Sequence, residues 1–248
     1  VEISFFNALK IQADYFSEKR EGIFLERASL PLYIGVSTKP YVNVGKMKNH
    51  GFDTSLEYNQ RVGQVRLSGK ANFTYAHNTI IDNDQPDWKY PYLNRRGQML
   101  WQQYGLVAAG LFEAQADIDS WPTQTFVEVK PGDIKYIDIN GDGKIDTNDE
   151  KPIGWAAVPE IVYGFGLSAA WKGLDCSVFF QGAGHVTLQQ SGSAIQAFSA
   201  RNMMESGVYE DIYYNHWSED NPNPNAKYPR LSIGSNKNNF RNSTFWQK

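Results

Sequence analysis

The residues Phe52-Asp-Thr-Ser-Leu-Glu-Tyr-Asn-Gln60, then Arg61-Val62-Gly63-Gln64, then Val65-Arg-Leu-Ser-Gly-Lys-Ala-Asn-Phe-Thr-Tyr75 decide the fold class. In the first run Phe52, Thr54, Leu56 and Tyr58 alternate with Asp53, Ser55, Glu57 and Asn59; in the last, Val65, Leu67, Gly69, Ala71, Phe73 and Tyr75 alternate with Arg66, Ser68, Lys70, Asn72 and Thr74. Successive side chains of an extended chain point to opposite faces, so a period of two means a strand with one apolar and one polar face. The glycine-containing segment between the runs reads as a short turn, and the whole as a β-hairpin.

The same alternation recurs on either side. From Leu9 to Glu18 the set Leu9, Ile11, Ala13, Tyr15, Ser17 faces away from Lys10, Gln12, Asp14, Phe16, Glu18. A second hairpin runs from Ile161 to Trp171, turns at Lys172-Gly173 and returns from Leu174 to Gly184, with Leu174, Cys176, Val178 and Phe180 opposed to Asp175, Ser177, Phe179 and Gln181. Every charge in the four charge-bearing segments (Lys10, Asp14, Glu18, Asp53, Glu57, Arg66, Lys70, Asp175) falls on the polar face. The expected fold is therefore all-β and antiparallel. Its apolar face can hide in a protein core or turn to lipid, because both environments penalise charge, and periodicity alone leaves both open.

Composition narrows the field. With 248 residues, 24 Lys+Arg and 27 Asp+Glu, the net charge is −3 and no long run has one sign, which excludes a basic nucleic-acid-binding or polybasic membrane surface. One cysteine, Cys176, excludes a disulfide-stapled scaffold and a Cys-rich zinc site. No stretch approaches the ~20 apolar residues of a membrane-crossing helix, though a β-barrel wall needs none. No secretory signal is visible, and the untidy ends (Val1, Phe245-Trp246-Gln247-Lys248) are expected to be cuts in a longer chain.

Two connections are far longer than the ~12–15 residues of ordinary long loops: Asp82 to Ile153 (82–153) and His185 to Lys248 (185–248). Ser193 to Glu205, with Ile195, Phe198 and Met204 near helical spacing, and Val208 to Trp217 are expected to form short helices. Short turns alternating with very long connections are the asymmetry of an outer-membrane barrel.

The sharpest chemical motif is Asp138-Ile-Asn140-Gly-Asp142-Gly143-Lys144-Ile145-Asp146-Thr-Asn-Asp149, which matches a Ca²⁺ loop. Asp138, Asn140 and Asp142 supply oxygens at alternate positions, Gly143 the sharp turn, Lys144 its carbonyl, Asp146 a ligand through water and Asp149 the final carboxylate. Pro131-Gly132 and Pro152 forbid the flanking helix pair of a sensor, so the expected role is a structural Ca²⁺ clamp; the alternative is a turn whose Asp and Asn side chains bond only their own backbone. Gly164-Phe165-Gly166-Leu167-Ser168-Ala169 lies inside a strand and has no helix to receive a pyrophosphate, which sets aside a dinucleotide site. His50, His77, His185 and His216 lack metal-ligand spacing, and no nucleophile motif occurs, so no catalytic residue is assigned and an enzyme is not expected. Trp88, Trp101, Trp121, Trp155, Trp217 and Trp246 fall outside the expected strands, where they pack loops, anchor an interface or stack on sugar rings.

The run Lys130-Pro-Gly-Asp-Ile-Lys-Tyr-Ile-Asp138-Ile-Asn-Gly-Asp-Gly-Lys-Ile-Asp146, with Pro152-Ile-Gly154, Pro159-Glu-Ile-Val-Tyr163-Gly-Phe-Gly-Leu, Phe179-Phe-Gln181-Gly, Asn43-Val-Gly-Lys46-Met-Lys-Asn-His-Gly51-Phe and Tyr228-Pro-Arg-Leu231, resembles the SusC/RagA family of TonB-dependent outer-membrane transporters. The resemblance spans nearly the whole chain and covers only the later barrel part of such a transporter. It implies residues 1–248 are part of a barrel of about 22 strands, with 82–153 and 185–248 as extracellular loops and the plug and signal peptide not included. It further implies a Gram-negative outer membrane, contact with its lipid, a SusD-like surface lipoprotein and TonB as partners, and a glycan or peptide as cargo. The rival reading is a soluble, calcium-stabilised carbohydrate-binding or adhesion β-module.

Overall fold

A computed structural model describes residues 1–6, 8–30, 35, 38–199 and 207–248. In chain order the elements are β1 (Glu2–Phe5), β2 (Leu9–Glu26), β3 (Tyr41–Val62), β4 (Val65–Asp82), β5 (Gln102–Gly105), β6 (Ala108–Leu111), α1 (Gln115–Asp119), β7 (Thr123–Gln124), β8 (Ile134–Tyr136), β9 (Lys144–Ile145), β10 (Lys151–Ala156), β11 (Ile161–Trp171), β12 (Leu174–Gly184) and α2 (Glu210–Asn215). The alternating segments become long strands in one six-stranded sheet of order β1-β2-β3-β4-β11-β12, antiparallel throughout. This sheet is open, with β1 and β12 at its edges.

Register turns the one-dimensional alternation into rows. Ile11 pairs with Leu56, Leu56 with Ala71, Ala71 with Phe165 and Phe165 with Phe180, so the apolar positions of separate strands line up across one face. A slip of one residue would send each of them to the polar face. Both hairpins close tightly at one end of the sheet: Val62 pairs with Val65, and Trp171 with Leu174. Lys172 (φ 48°) and Gly173 (φ 87°) are both left-handed, the backbone that a two-residue type I′ turn demands.

The chain divides into two compact units. The first comprises Val1–Asp87, Asn94–Trp101 and Trp155–Val186 and contains the sheet; the second comprises Trp88–Leu93, Gln102–Gly154 and Thr187–Lys248. Among the described residues the long connections thus carry elements of their own. β6 pairs antiparallel with β8, β7 pairs parallel with β9, and β10 lies beside β5. Leu106, Ile134, Tyr136, Ile145, Ile212 and Trp246 form the hydrophobic core of the second unit.

Helices are fewer and shorter than expected. Val208 to Trp217 contains α2, but residues 193–199 form turns, and the remainder of the Ser193 to Glu205 segment, Met204 included, lies outside the described residues. Trp155, expected in a loop, belongs to β10. α1 has only five residues and no side-chain cap, which accounts for the absence of a sequence signal. No helix among the described residues is long and apolar enough to cross a membrane.

Candidate functional site

The two faces of the six-stranded sheet differ in chemistry along the whole of β11. On one face Tyr163, Phe165, Leu167 and Trp171 continue into Phe180, Val178 and Leu174 on β12 and Phe73, Leu67 and Val65 on β4. Those on β11 and β12 are uncovered, with Leu167 65% exposed, Leu174 68% and Phe180 53%, and those on β4 are half-buried. The apolar band spans the 11 residues of β11. At its border away from the tight turns Tyr15, Phe52, Tyr75 and Ile161 stand in one row, with the Phe52 ring 5.9 Å from that of Tyr75. One pairing step beyond, the same face turns polar with Ser17, His50 and His77, and then with Lys19, Lys48 and Thr79.

The opposite face carries the charges. Lys10 sits across from Glu57 and Glu57 across from Lys70, and ion pairs Lys10–Glu2 (3.0 Å) and Lys70–Glu57 (3.5 Å) run along this ladder. Gln12, Ser55, Asn72 and Gln181 continue the polar surface. Beyond the band, Arg20, Met47, Asn49, Asn78, Met99 and Leu100 help line a cavity of about 450 Å³. Leu100 N donates to Asn78 Oδ1 at 2.7 Å there, which fastens the Asn94–Trp101 segment to β4.

The aspartate loop is built almost wholly on hydrogen bonds to its own backbone. Asp138 accepts from Gly141 N (2.7 Å) and Gly143 N (2.8 Å), Asn140 from Asp142 N (2.8 Å), Asp142 from Lys144 N (2.9 Å) and Asp146 from Asn148 N (2.6 Å). Asp149 is fully buried and accepts from Ile139 N, Asn140 N and Asp146 N. The last carboxylate therefore ties the two ends of the loop together, and β9 pins its middle to β7. The donors are all oxygen, as a hard cation requires. Asn140 Nδ2 is buried with no hydrogen-bond partner, the one place where the loop's own backbone leaves a ligand-position side chain unsatisfied. Among the described residues no group of three or more His, Cys, Asp or Glu side chains is arranged to hold a metal ion. Tyr92 lies alongside, its hydroxyl donating to Asn148 O (2.6 Å) and its ring stacked on Tyr90. Burial, with the nearby carboxylates of Asp149, Asp138 and Asp142, raises the Tyr92 phenol above its ordinary pKa.

A second acid, just upstream, organises the second unit. Asp133 is fully buried; it accepts from Lys130 N (2.9 Å), Asn236 Nδ2 (2.9 Å) and Asn239 Nδ2 (3.0 Å) and is ion-paired to Arg230 Nε (2.7 Å). Gly132 makes this geometry possible. Its φ is +83°, and a Cβ there would stand 2.2 Å from the Trp217 ring. The motif that carries the family resemblance thus has a physical explanation in Pro131-Gly132-Asp133, a turn that delivers one carboxylate to a ring of donors from the far end of the chain. Beside it Tyr136 donates to Asn238 O (2.7 Å), and burial pushes its phenol well above the usual range.

The tryptophans divide by role. Trp121 Nε1 donates to Tyr136 O (2.7 Å) and Trp246 Nε1 to Asn239 O (2.6 Å), while Trp217 is 5% exposed; these three pack the second unit. Trp88, Trp101 and Trp155 remain exposed. Gly164 and Gly166 lie in β11 beneath the Phe179 ring, in a strand and not in a nucleotide loop. Sequence reasoning missed Asp133 and also Glu160, on which His77 and His185 converge. Both stand inside the runs that carry the family resemblance, but their roles were not readable because their partners lie 97 and 103 residues away for Asp133, and 83 and 25 residues away for Glu160.

No protein-family model matches the chain. Among curated proteins, TonB-dependent receptor P3 of Formosa agariphila is 26% identical over 248 residues, taking in 92% of this chain and 23% of the relative. TonB-dependent receptor P26 of the same organism is 27% identical over 194 residues, 73% of this chain and 19% of that one. By sequence the chain is similar to TonB-dependent receptors over most of its length. The fold agrees. The RagAB peptide transporter superposes with a TM-score of 0.67 at 20% identity, over 98% of this chain and 25% of that one. The RagAB peptide importer in its open-open state gives 0.66 at 19%, over 98% and 25%. The chain spans about a quarter of the length of the TonB-dependent receptors and transporters it matches.

Proposed function

We propose that this chain forms part of the wall and rim of a TonB-dependent outer-membrane importer of a Gram-negative bacterium, a transport role without a catalytic step. The observation that carries the reading is the uncovered apolar face of the sheet. Its 11-residue height equals a tilted membrane strand, ~9–11 residues, and Tyr15, Phe52 and Tyr75 stand in a row at one border, with Trp171 at the other, as in an interfacial girdle. In water, leaving so many large apolar side chains exposed would forfeit the burial that drives folding, about 25 cal/mol per Å². In lipid the same face is matched, and the charged ladder opposite it lines the lumen. β12 supports the same view: an open edge with exposed Leu174, Val178 and Phe180 calls for a further strand of the barrel. The soluble-module reading would need a second layer over this face.

On this reading the second unit belongs to the extracellular rim, where a SusD-like lipoprotein meets the receptor and a glycan or peptide is captured, and TonB acts through other parts of the protein. The RagAB neighbours, which are peptide importers by name, favour a peptide. The test is fractionation of the intact receptor: it should require detergent and migrate differently on gels before and after heating. Recovery as a soluble monomer would overturn the assignment.

We propose in addition that the aspartate loop holds Ca²⁺ through Asp138, Asn140, Asp142, the Lys144 carbonyl and Asp146, with Asp149 anchoring the loop. The all-oxygen set at alternate loop positions supports it. Calorimetry on the intact receptor should register heat at roughly millimolar Ca²⁺, reduced in Asp142→Ala. Absence of heat in the wild type would sink the idea.

A further inference from the structure

The end of the sheet opposite its tight turns carries a buried carboxylate that the transport reading leaves unused. Glu160, immediately before β11, is 3% exposed. Its Oε1 is hydrogen-bonded with Nδ1 of His77 on β4, and its Oε2 lies 3.0 Å from Nδ1 of His185, the residue after β12. The backbone reinforces the junction: Ala76 N donates to Glu160 O (2.9 Å) and Glu160 N to His185 O (3.3 Å). One side chain thus fastens three chain segments where the first long connection rejoins the sheet and the second departs from it.

The rings are placed to exchange protons with solvent. The His77 and His185 side chains are 32% and 42% exposed. His77 Nε2 faces the Thr79 hydroxyl at 3.2 Å, and the His50 ring on β3 stands 5.5 Å away. The His185 ring lies flat on Trp155, with centroids 3.9 Å apart and planes within 3°. His185 also has φ 49°, a left-handed backbone uncommon for residues other than glycine.

A neutral imidazole can donate from Nδ1, but only an imidazolium cancels the charge of a buried carboxylate, which is costly when uncompensated. Imidazole is the side chain whose charge ordinarily changes between about pH 5 and 8. We propose that His77, Glu160 and His185 form a proton-sensitive clasp at the root of the two long connections. The clasp is closed while an imidazole is charged; it loosens when both are neutral, because Glu160 then draws water and His185 can leave its left-handed conformation. Its strength falls as pH rises. The inference depends on unit-one geometry and stands whether or not the apolar face meets lipid.

Hydrogen–deuterium exchange on the intact receptor, corrected for intrinsic rates, tests it at about pH 5.5 and 8. The amides of Ala76 and Glu160 should lose ~10-fold protection at the higher pH, while those flanking the Val62–Val65 turn should not. Glu160→Gln should flatten this response. His77→Gln and His185→Gln keep an N–H donor without a titratable proton, so each should weaken the response and the double variant abolish it. Equal protection at both pH values in the wild type, or an undiminished response in the double variant, would overturn the clasp. The double variant decides the matter if Glu160→Gln does not fold.

Discussion

The six-stranded sheet and the second unit place the same kinds of residue on opposite sides. Leu167 and Leu174 in the sheet are more than half exposed, whereas Leu106 and Ile134 in the second unit are 0% exposed. Polar groups show the reverse. The sheet presents Lys10, Glu57 and Lys70 on an open surface, but the second unit sinks Asp133, Asn238 and Asn239 into its interior and satisfies them with one another, with Arg230 and with the backbone. On the proposed reading, what differs is the solvent each was built for. A strand ladder satisfies every backbone group along its length and needs no interior of its own, while an irregular body must bring buried donors and acceptors together one by one.

The contrast can be broken most forcefully at Asp133. Asp133→Ala removes the acceptor for three donors and strands the Arg230 guanidinium, a loss of about 3–5 kcal/mol. In urea titrations of the intact receptor, the environment of Trp217 and Trp246 should melt early while heat-modifiable mobility of the barrel persists. A variant as stable as wild type would show that the buried network is dispensable. Next in size is a pair of neighbours on β11. Leu167→Arg should cost ~2–4 kcal/mol in lipid, whereas Ser168→Arg, on the other face, should change stability by less than about 0.5 kcal/mol. Equal losses at the two positions would erase the distinction between faces.

The smallest effect is acid sensitivity at the edge of the second unit. Hydrogen bonds from Lys227 (2.5 Å) and Tyr228 (2.7 Å) hold the Asp211 carboxyl below its ordinary pKa of 3.8. A depressed carboxylate contributes stability that is present above the unfolded pKa and is lost as pH falls through the lower, folded value. Exchange at the Tyr228 amide should therefore quicken only in strong acid, and Asp211→Asn should remove that step. Because the pair is exposed, salt should shrink the effect. Acid-induced loosening that survives in the variant would assign it elsewhere.

How much of this was legible in sequence follows from the same contrast. Strands β2, β3, β4, β11 and β12 are readable because every residue from Val65 to Tyr75, for example, answers to one period. The two turns then set the registers of β3 with β4 and of β11 with β12, while those of β2 with β3 and of β4 with β11 are set by matching apolar faces. The second unit is not readable in that way. β7 and β9 have two residues each, too short to show any period, and α1 lacks a capping side chain. The aspartate loop was visible as a motif, but its internal logic was not: Asp149 serves three backbone amides of its own loop. Glu160 stood in a run that carries the family resemblance without a role of its own, and only the fold that brings His77 beside it discloses one.

The uncovered face and the open edge of β12 also bear on how such a chain reaches its destination. A surface of this kind, released into an aqueous compartment, would pair with or stick to whatever neighbouring strand it met first. On the proposed barrel reading its biogenesis is a guarded journey, with the greasy side shielded by an escort until adjoining staves arrive and the bilayer takes over.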